Sequence, residues 1–202
     1  MKVRLLTDKS ALNDMECNAA YAMLICHDNT EKLKREAHKI FVMKAIELGH
    51  ESILEHINLS FEIRDLSRAC LQELARHRHI SLSVESTRHT LKRKIKDGIF
   101  DVALPDCASK EFEKVIEECL KAGFDYVVTN PDISNDVLKY AMPECLTTNL
   151  VMTLNVRELR HIVKLRSAPA ALDEFQDLAR SLVFAIPKNF RYWVKDCLYN
   201  EK

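Results

Sequence analysis

Apolar residues recur at helical spacing before Gly49 and alternate with polar residues soon after it. The helical stripe consists of Leu33, Ala37, Ile40, Phe41, Ala45 and Leu48. Gly49 stands where a left-handed residue would end such a helix. From residue 57 to residue 63 every second residue is apolar, which predicts a strand with one buried face. The pattern therefore predicts a helix that ends at Gly49 and leaves His50 just past its end.

Asn155 lies between a second strand signal and a second helical stripe. Residues 145–154 are rich in Thr, Val and Leu and predict a strand. Asn155 and Glu158 then have the spacing of a capping box, which predicts the start of a helix. The stripe along this helix is expected to be core and consists of Val156, Leu159, Ile162 and Leu165. A cap and a binding-site residue both remain open interpretations of Asn155.

Shorter signals place the remaining elements. We expect Asp65 to cap a helix that ends near Arg78, and residues 81–87 to form a loop. Three further helices are predicted: one from residue 109 that ends at Gly123, a short one bracketed by the prolines at 131 and 143, and one at 172–186 before a proline. Helices thus alternate with isolated strands, which predicts a mixed α/β fold whose active site is completed across subunits.

Length and composition fit one domain over residues 1–202. Hydrophobic residues make up 47% of the 202 residues, which is enough to supply one core. No apolar run has the length of a membrane span, and the residues after Met1 lack the apolar stretch of a signal peptide. We therefore expect a cytoplasmic protein that does not bind membranes.

Seven cysteines are scattered along the chain without a Cys-x-x-Cys pair. This usage favours reduced, mostly buried thiols over disulfides or a zinc site. Cys145 begins an apolar strand without an activating basic neighbour, so we expect a core residue rather than a nucleophile. Two pairs of histidines also lack the partners of a zinc site, and we expect no metal at either. These pairs are His50 with His56, and His77 with His79.

The segment from residue 76 to residue 88 concentrates polar chemistry in a chain whose formal net charge is zero. It reads Arg-His-Arg-His-Ile-Ser-Leu-Ser-Val-Glu-Ser-Thr-Arg. Guanidiniums hold phosphate groups in two-point contacts, and hydroxyls can fill the remaining positions. A nucleic-acid-binding protein usually spreads its positive charge over a whole face, whereas this charge is local. The segment therefore predicts an anion site, with a solvated basic loop as the open alternative.

The spacing within this segment resembles the signature of the flavin-dependent thymidylate synthases, the ThyX family. Arg-His-Arg at 76–78 is followed, after seven residues, by Ser-Thr-Arg at 86–88. Upstream, the segment Gly-His-Glu-Ser-Ile-Leu-Glu-His at 49–56 also matches the family. Downstream, Met-Pro at 142–143 and the stretch 155–166 follow in the family's order. The resemblance covers roughly residues 45–166.

This resemblance implies an enzyme with a mostly antiparallel sheet flanked by helices. The implied reaction is the reductive methylation of dUMP to dTMP. FAD would pass a methylene group from methylenetetrahydrofolate to the uracil, with NADPH as reductant and without an enzymic nucleophile. The resemblance also implies a homotetramer with sites at subunit junctions.

The resemblance implies roles for residues at matching positions. Seven residues would contact FAD: His50, Arg76, His77, Arg78, Asn155, Arg157 and His161. Six would bind the nucleotide: Glu73, Ser86, Thr87, Arg88, Lys139 and Arg166. Candidates for a direct part in catalysis are Arg166, Ser86 and His50. Arg166 would face the uracil carbonyls, and Ser86 and Arg88 the phosphate.

Three positions depart from the family pattern. Glu73 stands where relatives commonly carry a glutamine, and Lys139 replaces an arginine of the phosphate clamp. Val84 replaces a polar residue beside the flavin. These departures leave open a flavin-dependent enzyme that acts on another pyrimidine nucleotide. A noncatalytic nucleotide- or RNA-binding module is a third hypothesis, against which the zero net charge argues, because nucleic-acid backbones require many cations.

Overall fold

A computed structural model describes residues 1–33, 37–98 and 101–199. These residues belong to two compact units, each assembled from three segments of the chain. Unit 1 comprises Met1–Lys2, Arg64–Arg76 and Ser83–Leu150, and unit 2 the described residues of Val3–Ile63, His77–Leu82 and Val151–Lys202. The expectation of one domain over residues 1–202 stays a prediction.

Four strands within the described residues form one antiparallel sheet. In chain order they are β1 Lys2–Leu5, β2 Asn58–Ser67, β3 Ile80–Val84 and β4 Thr147–Asn155. Their order across the sheet is β1-β2-β4-β3, so β2 and β4 are central. The predicted alternation is confirmed in β2, where Leu59, Phe61 and Ile63 are fully buried. The antiparallel α/β fold is thereby confirmed.

Helices account for most of the remaining described residues. The α-helices are α1 Lys9–Ile25, α2 His38–Glu47, α3 Arg68–Ala75, α4 Thr87–Lys96, α5 Lys110–Thr129, α6 Asn135–Leu138, α7 Val156–Arg166 and α8 Asp173–Ala185. Short 3₁₀ helices lie at Thr30–Lys32, Glu51–His56, Lys139–Ala141, Arg191–Trp193 and Lys195–Cys197. The predicted end of α2 is confirmed, because Gly49 has a φ of 73°.

Unit 2 contains a buried carboxylate that ties three of its elements together. Glu16 of α1 is 2% exposed and accepts hydrogen bonds from Tyr192 Oη at 2.5 Å and Trp193 Nε1 at 3.1 Å. Nε2 of His38, the first residue of α2, lies 2.8 Å from its other oxygen. A buried carboxylate without such partners would destabilise the fold. The three contacts therefore hold α1 against α2 and the 3₁₀ helix Arg191–Trp193.

Unit 1 has its own apolar cluster, to which α4, α5 and α6 contribute. The cluster consists of Leu91, Ile95, Val127, Leu138 and Leu146. The prediction that α5 ends at Gly123 is wrong, because the helix continues to Thr129. Gly123 is buried there, and a Cβ atom on it would lie 2.8 Å from Cε of Met142. Close packing against Met142 therefore accounts for the glycine at position 123, and this glycine does not mark the end of the helix.

Two predictions around α3 are also wrong. The helix is capped by Ser67, whose Oγ accepts from the Cys70 amide at 2.9 Å, and it ends at Ala75. Asp65 instead belongs to β2, with a left-handed φ of 60°. Most of the predicted loop at 81–87 is strand β3, because apolar residues alternate with Ser81 and Ser83. Among the described strands, β3 lies at the edge of the sheet and pairs with β4 alone. Its serines interrupt the apolar pattern by which a strand is predicted from sequence.

Burial corrects two further predictions. Of the stripe on α7, Val156, Leu159 and Ile162 are fully buried, whereas Leu165 is 49% exposed near the end of the helix. All seven cysteines are free thiols, but only Cys70 is buried. Cys145 is half-buried rather than a full core residue. Within the described ranges, none of the helices has the length and apolar character of a bilayer-spanning segment.

Candidate active site

Helix α7 of unit 2 carries three predicted flavin residues at or near its first turns. Asn155 caps the helix, since its Oδ1 accepts from the Glu158 amide at 2.9 Å. The cap interpretation of Asn155 is therefore confirmed. Arg157 and His161 lie one turn apart and share a face of the helix.

This face borders a cleft of about 1340 Å³ within unit 2. The cleft is lined by Glu51, Glu55, His79, Asn155, Arg157, Glu158, Arg160, His161, Lys164, Asp196, Cys197, Leu198 and Tyr199. The structure thus brings Asn155, Arg157 and His161 together, as the family resemblance implies. Lys164 and His79 also line the cleft and were missed. Spacing could have found Lys164, because it lies three residues after His161 on the same helical face.

Three of the four acidic residues of the cleft wall, Glu51, Glu55 and Asp196, are paired with arginines. Arg157 Nη1 lies 2.5 Å from Glu55 Oε1. The guanidinium of Arg160 donates to Glu51 at 2.8 Å and to both oxygens of Asp196 at 2.7 Å. Burial lowers the pKa of Arg160, but these carboxylates outweigh it and raise the pKa above its ordinary value. Arg160 is therefore a structural cation that fastens α7 to the C-terminal segment.

His77 lies behind this wall, with both ring nitrogens in contact with α7. Its exposure is 7%, its Nδ1 lies 3.4 Å from Glu158 Oε1, and its Nε2 accepts from Arg166 Nε at 3.2 Å. Burial and the Arg166 charge lower the pKa of His77, while Glu158 opposes them. The net direction favours a neutral imidazole. The Arg166 guanidinium carbon lies 4.8 Å from the centroid of the Phe175 ring.

The other predicted flavin residues are exposed at element ends. His50 precedes the 3₁₀ helix Glu51–His56, and Arg78 lies in the turn before β3, both in unit 2. Neither is among the residues that line the described cleft. Arg76 is the exposed C-cap of α3 and belongs to unit 1. Their predicted contact with flavin stays a prediction.

The predicted phosphate residues meet in unit 1 at the start of α4. Ser86 is the N-cap, and its hydroxyl makes no capping hydrogen bond. Arg88 Nε lies 2.9 Å from Oδ1 of Asp136, and Lys139 Nζ lies 3.3 Å from the same oxygen. The pKa of Asp136 lies below its ordinary value. Desolvation raises this pKa, but the hydrogen bonds from Arg88 and Lys139 outweigh the desolvation. Unit 1 thus brings Ser86, Thr87, Arg88 and Lys139 together at the N-terminal end of α4, the kind of helix end at which proteins can bind anions.

Glu85 holds the segment before α4 and was missed by sequence reasoning. Its carboxylate accepts from Asn149 Nδ2 at 2.7 Å and lies 2.7 Å from Lys94 Nζ. Its amide donates to the Asn149 carbonyl at 2.8 Å. The two contacts with Asn149 depend on β4 and therefore on tertiary structure. Glu73, the other predicted nucleotide residue of unit 1, is half-buried in α3.

The described residues include no group of three or more metal-ligating side chains. Cys145 lies in unit 1, and burial raises the pKa of its thiol. A raised pKa keeps the thiol protonated at neutral pH, which is unfavourable for a nucleophile. Both units thus present lysines, arginines and hydrogen-bonding groups, partly paired with carboxylates, and cations of this kind suit anionic ligands.

Comparison with known proteins identifies the family. Residues 6–190 match the family described as thymidylate synthase complementing protein. The chain belongs to this family. The chain is 39% identical over 158 residues to the flavin-dependent thymidylate synthase of Campylobacter jejuni, covering 75% of this chain and 76% of that protein. Identity to the same enzyme of Helicobacter pylori is 42% over 160 residues, covering 74% and 76%.

Solved structures agree with this assignment. The crystal structure of the flavin-dependent thymidylate synthase ThyX of Helicobacter pylori, complexed with FAD and dUMP, superimposes with a TM-score of 0.85. The match covers 98% of this chain and 100% of that chain at 31% identity. The family resemblance seen in the sequence is confirmed.

Proposed function

We propose that this chain is a flavin-dependent thymidylate synthase that converts dUMP to dTMP with FAD, methylenetetrahydrofolate and NADPH. The observation that carries the proposal is the face of α7 along the unit 2 cleft, which presents two cations and an imidazole in a member of this family. Arg157, His161 and Lys164 lie on this face. Such a face suits an anionic dinucleotide.

The cleft residues fit FAD by volume and by chemistry. Its volume of about 1340 Å³ exceeds that of most small-ligand pockets, as a dinucleotide requires. Arg157 and Arg160 pair with Glu55, Glu51 and Asp196 of its wall, which reduces but does not cancel the repulsion between these carboxylates and a pyrophosphate. Of the cleft residues, Asn155, Arg157, His161 and Lys164 would hold FAD. FAD, when bound, would supply the hydride that the methylation consumes.

The residues of unit 1 would hold the nucleotide phosphate. The N-terminus of α4 offers backbone amides and the positive end of a helix dipole. The Ser86 hydroxyl and the cations of Arg88 and Lys139 would add charge-assisted contacts to the same phosphate. The task of these residues is to bind and orient dUMP.

Arg166 would act on the uracil ring. A guanidinium that is held in place before reaction stabilises negative charge as it develops on the pyrimidine carbonyls. Phe175 and His77 hold Arg166 in this way. No thiol is required as a nucleophile, in agreement with the raised pKa of Cys145.

A second candidate substrate is another pyrimidine nucleotide. Lys139 is a point charge where the family pattern has an arginine, and in the structure it shares Asp136 with Arg88. A clamp with this composition binds phosphate with weaker directional preference. We also propose a homotetramer in the cytoplasm, in which neighbouring subunits complete the site.

An anaerobic assay tests the function. Protein saturated with FAD is mixed with NADPH, methylenetetrahydrofolate and dUMP, and dTMP is measured by mass spectrometry. We expect dTMP only when all components are present, and none from an Arg166→Ala chain that still binds FAD. An Arg180→Ala chain is the matched control, because Arg180 is an exposed residue of α8 that pairs with Asp177, three residues earlier in the same helix.

Other outcomes separate the alternatives. Methylation of dCMP or UMP in place of dUMP would support the second candidate. Purified protein that binds no FAD would contradict both and favour a noncatalytic binding module.

A further inference from the structure

His77 joins an acid and a guanidinium of α7 through its two ring nitrogens. Nδ1 lies 3.4 Å from Oε1 of Glu158, and Nε2 accepts the Nε–H hydrogen bond of Arg166 at 3.2 Å. All three residues belong to unit 2. His77 is 7% exposed and Glu158 is 9% exposed, so water competes little for these contacts.

The chemistry of imidazole fixes where the proton lies. A neutral imidazole has one N–H group and one acceptor nitrogen. Because Nε2 accepts from Arg166, the proton belongs on Nδ1, where it faces the Glu158 carboxylate. Glu158 therefore stabilises the tautomer that can accept from Arg166. The same logic applies where an outer carboxylate orients a metal-bound histidine.

The Arg166 side chain contacts His77 and the ring of Phe175. Its Nε–H edge meets His77, and its guanidinium carbon lies 4.8 Å from the centroid of the Phe175 ring. Phe175 also contacts His77 edge-on, with ring centroids 6.0 Å apart. These two contacts help to fix the position of the Arg166 guanidinium.

We propose that Glu158 and His77 are positioning residues that orient the Arg166 guanidinium for the uracil ring. This inference rests on the proposed function of Arg166. It assigns His77 a role different from the flavin contact that the family resemblance implies, because both of its nitrogens are engaged within the protein. It also assigns Glu158 a role beyond the start of α7.

Two substitutions of His77 separate positioning from packing. In His77→Gln the terminal carbonyl reaches toward the place of Nε2 and can accept from Arg166. In His77→Asn the shorter amide reaches only toward the place of Nδ1 and leaves Arg166 without this acceptor. We expect dUMP to bind FAD-saturated His77→Asn at least about tenfold more weakly than wild type, because a charge-assisted hydrogen bond is lost. His77→Gln should bind at least about fivefold more tightly than His77→Asn.

A spectroscopic measurement tests the Glu158 contact without any ligand. Long-range ¹H–¹⁵N correlation on protein labelled with ¹⁵N-histidine distinguishes the two tautomers of each imidazole. We expect His77 to carry its proton on Nδ1 in wild type and in Glu158→Gln, whose amide oxygen still accepts. In Glu158→Met the Nε2–H tautomer should appear and dUMP affinity should fall.

The outcomes are separable. An Nε2–H tautomer in wild type, or equal dUMP affinities for folded His77→Gln and His77→Asn, would overturn the positioning role. If both His77 variants fail to melt cooperatively, the comparison of Glu158→Gln with Glu158→Met tests the proposal instead. An unchanged His77 tautomer in Glu158→Met would then overturn the positioning role. Wild-type protein that shows the expected tautomer but binds neither FAD nor dUMP would instead contradict the proposed function.

Discussion

Arg88 Nε lies 2.9 Å from Oδ1 of Asp136, so a carboxylate already engages a cation that we assign to the nucleotide phosphate. Lys139 contacts the same oxygen at 3.3 Å. Asp136 thus keeps two cations of unit 1 together and also opposes a second anion at the same place.

The first prediction concerns this carboxylate. Asp136→Asn should bind dUMP more tightly, by roughly fivefold, because a unit charge at about 4 Å in water is worth about 1 kcal/mol. Isothermal titration calorimetry with FAD-saturated protein measures the change. Asp177→Asn is the matched control, since Asp177 also pairs with an arginine but lies on α8 outside the proposed phosphate site. Weaker binding by Asp136→Asn would mean that the carboxylate organises the clamp rather than competing with phosphate.

A second prediction concerns FAD. Arg78→Ala should raise the dissociation constant of FAD at least about tenfold, because a lost charge-assisted hydrogen bond costs on the order of 1.5–3 kcal/mol. Quenching of flavin fluorescence measures this constant. Arg180→Ala removes another exposed arginine of unit 2 and should leave it unchanged. Equal FAD affinities of wild type and Arg78→Ala would remove Arg78 from the flavin site.

Local signals in the sequence predicted the parts of the site that depend on local structure. Asn155 caps α7, and Gly49 follows the end of α2 in a left-handed conformation. Both features could be predicted because each depends only on residues within one helical turn. The family resemblance pointed to Arg157 and His161, and the spacing along one helix extends that set to Lys164.

Contacts between distant segments could not be predicted in this way. His77 and Glu158 are 81 residues apart in sequence, and Glu158 appeared only as part of a cap. Asp136 pairs with Arg88 of α4, 48 residues away in sequence, and only its contact with Lys139 follows from local spacing. Strand β3 was predicted as a loop, since an edge strand carries few buried apolar residues. In each case the deciding interaction forms only in the tertiary structure.

A third prediction concerns thiol chemistry. Burial raises the pKa of Cys145, so its thiol is protonated at neutral pH and a poor nucleophile. Cys145→Ala should therefore retain turnover per folded, FAD-loaded molecule, with at most a loss of stability from the half-buried site. Single-turnover formation of dTMP gives the comparison, and Cys26→Ala, at an exposed thiol, is the control. Lost turnover with intact binding of FAD and dUMP would show that the reaction needs this thiol.

The pH dependence of stability gives a fourth prediction. The pKa of His77 in the folded chain is lowered, chiefly by burial and then by Arg166, against opposition from Glu158, whereas the unfolded value is about 6.5. Between these two values the unfolded chain binds more protons, so the free energy of unfolding falls as pH decreases below about 6.5. Above that pH His77 makes its full contribution to the free energy of unfolding.

The surroundings of His77 permit a clean comparison. The groups that face it are Glu158, His161 and Arg166 of α7 and the apolar ring of Phe175 on α8. His77→Gln keeps all of these but does not titrate. Urea unfolding at several pH values should therefore show wild type losing stability relative to His77→Gln as the pH falls below about 6.5. A constant difference between the two proteins would show that His77 does not titrate in this way.

The last prediction concerns assembly. We expect a homotetramer in which one site draws on two subunits, because one chain of 202 residues must otherwise surround FAD, a nucleotide and a folate by itself. Chains with Arg88→Ala or Arg166→Ala should each be inactive alone. Co-expressed with different affinity tags and purified through both, they should regain part of the dTMP-forming activity, since some sites then contain both arginines. Tandem-purified Arg88→Ala chains that carry both tags are the control and should stay inactive. Verified mixed oligomers without activity would place the two arginines of a site on one chain, and a monomer by light scattering would contradict the assembly itself.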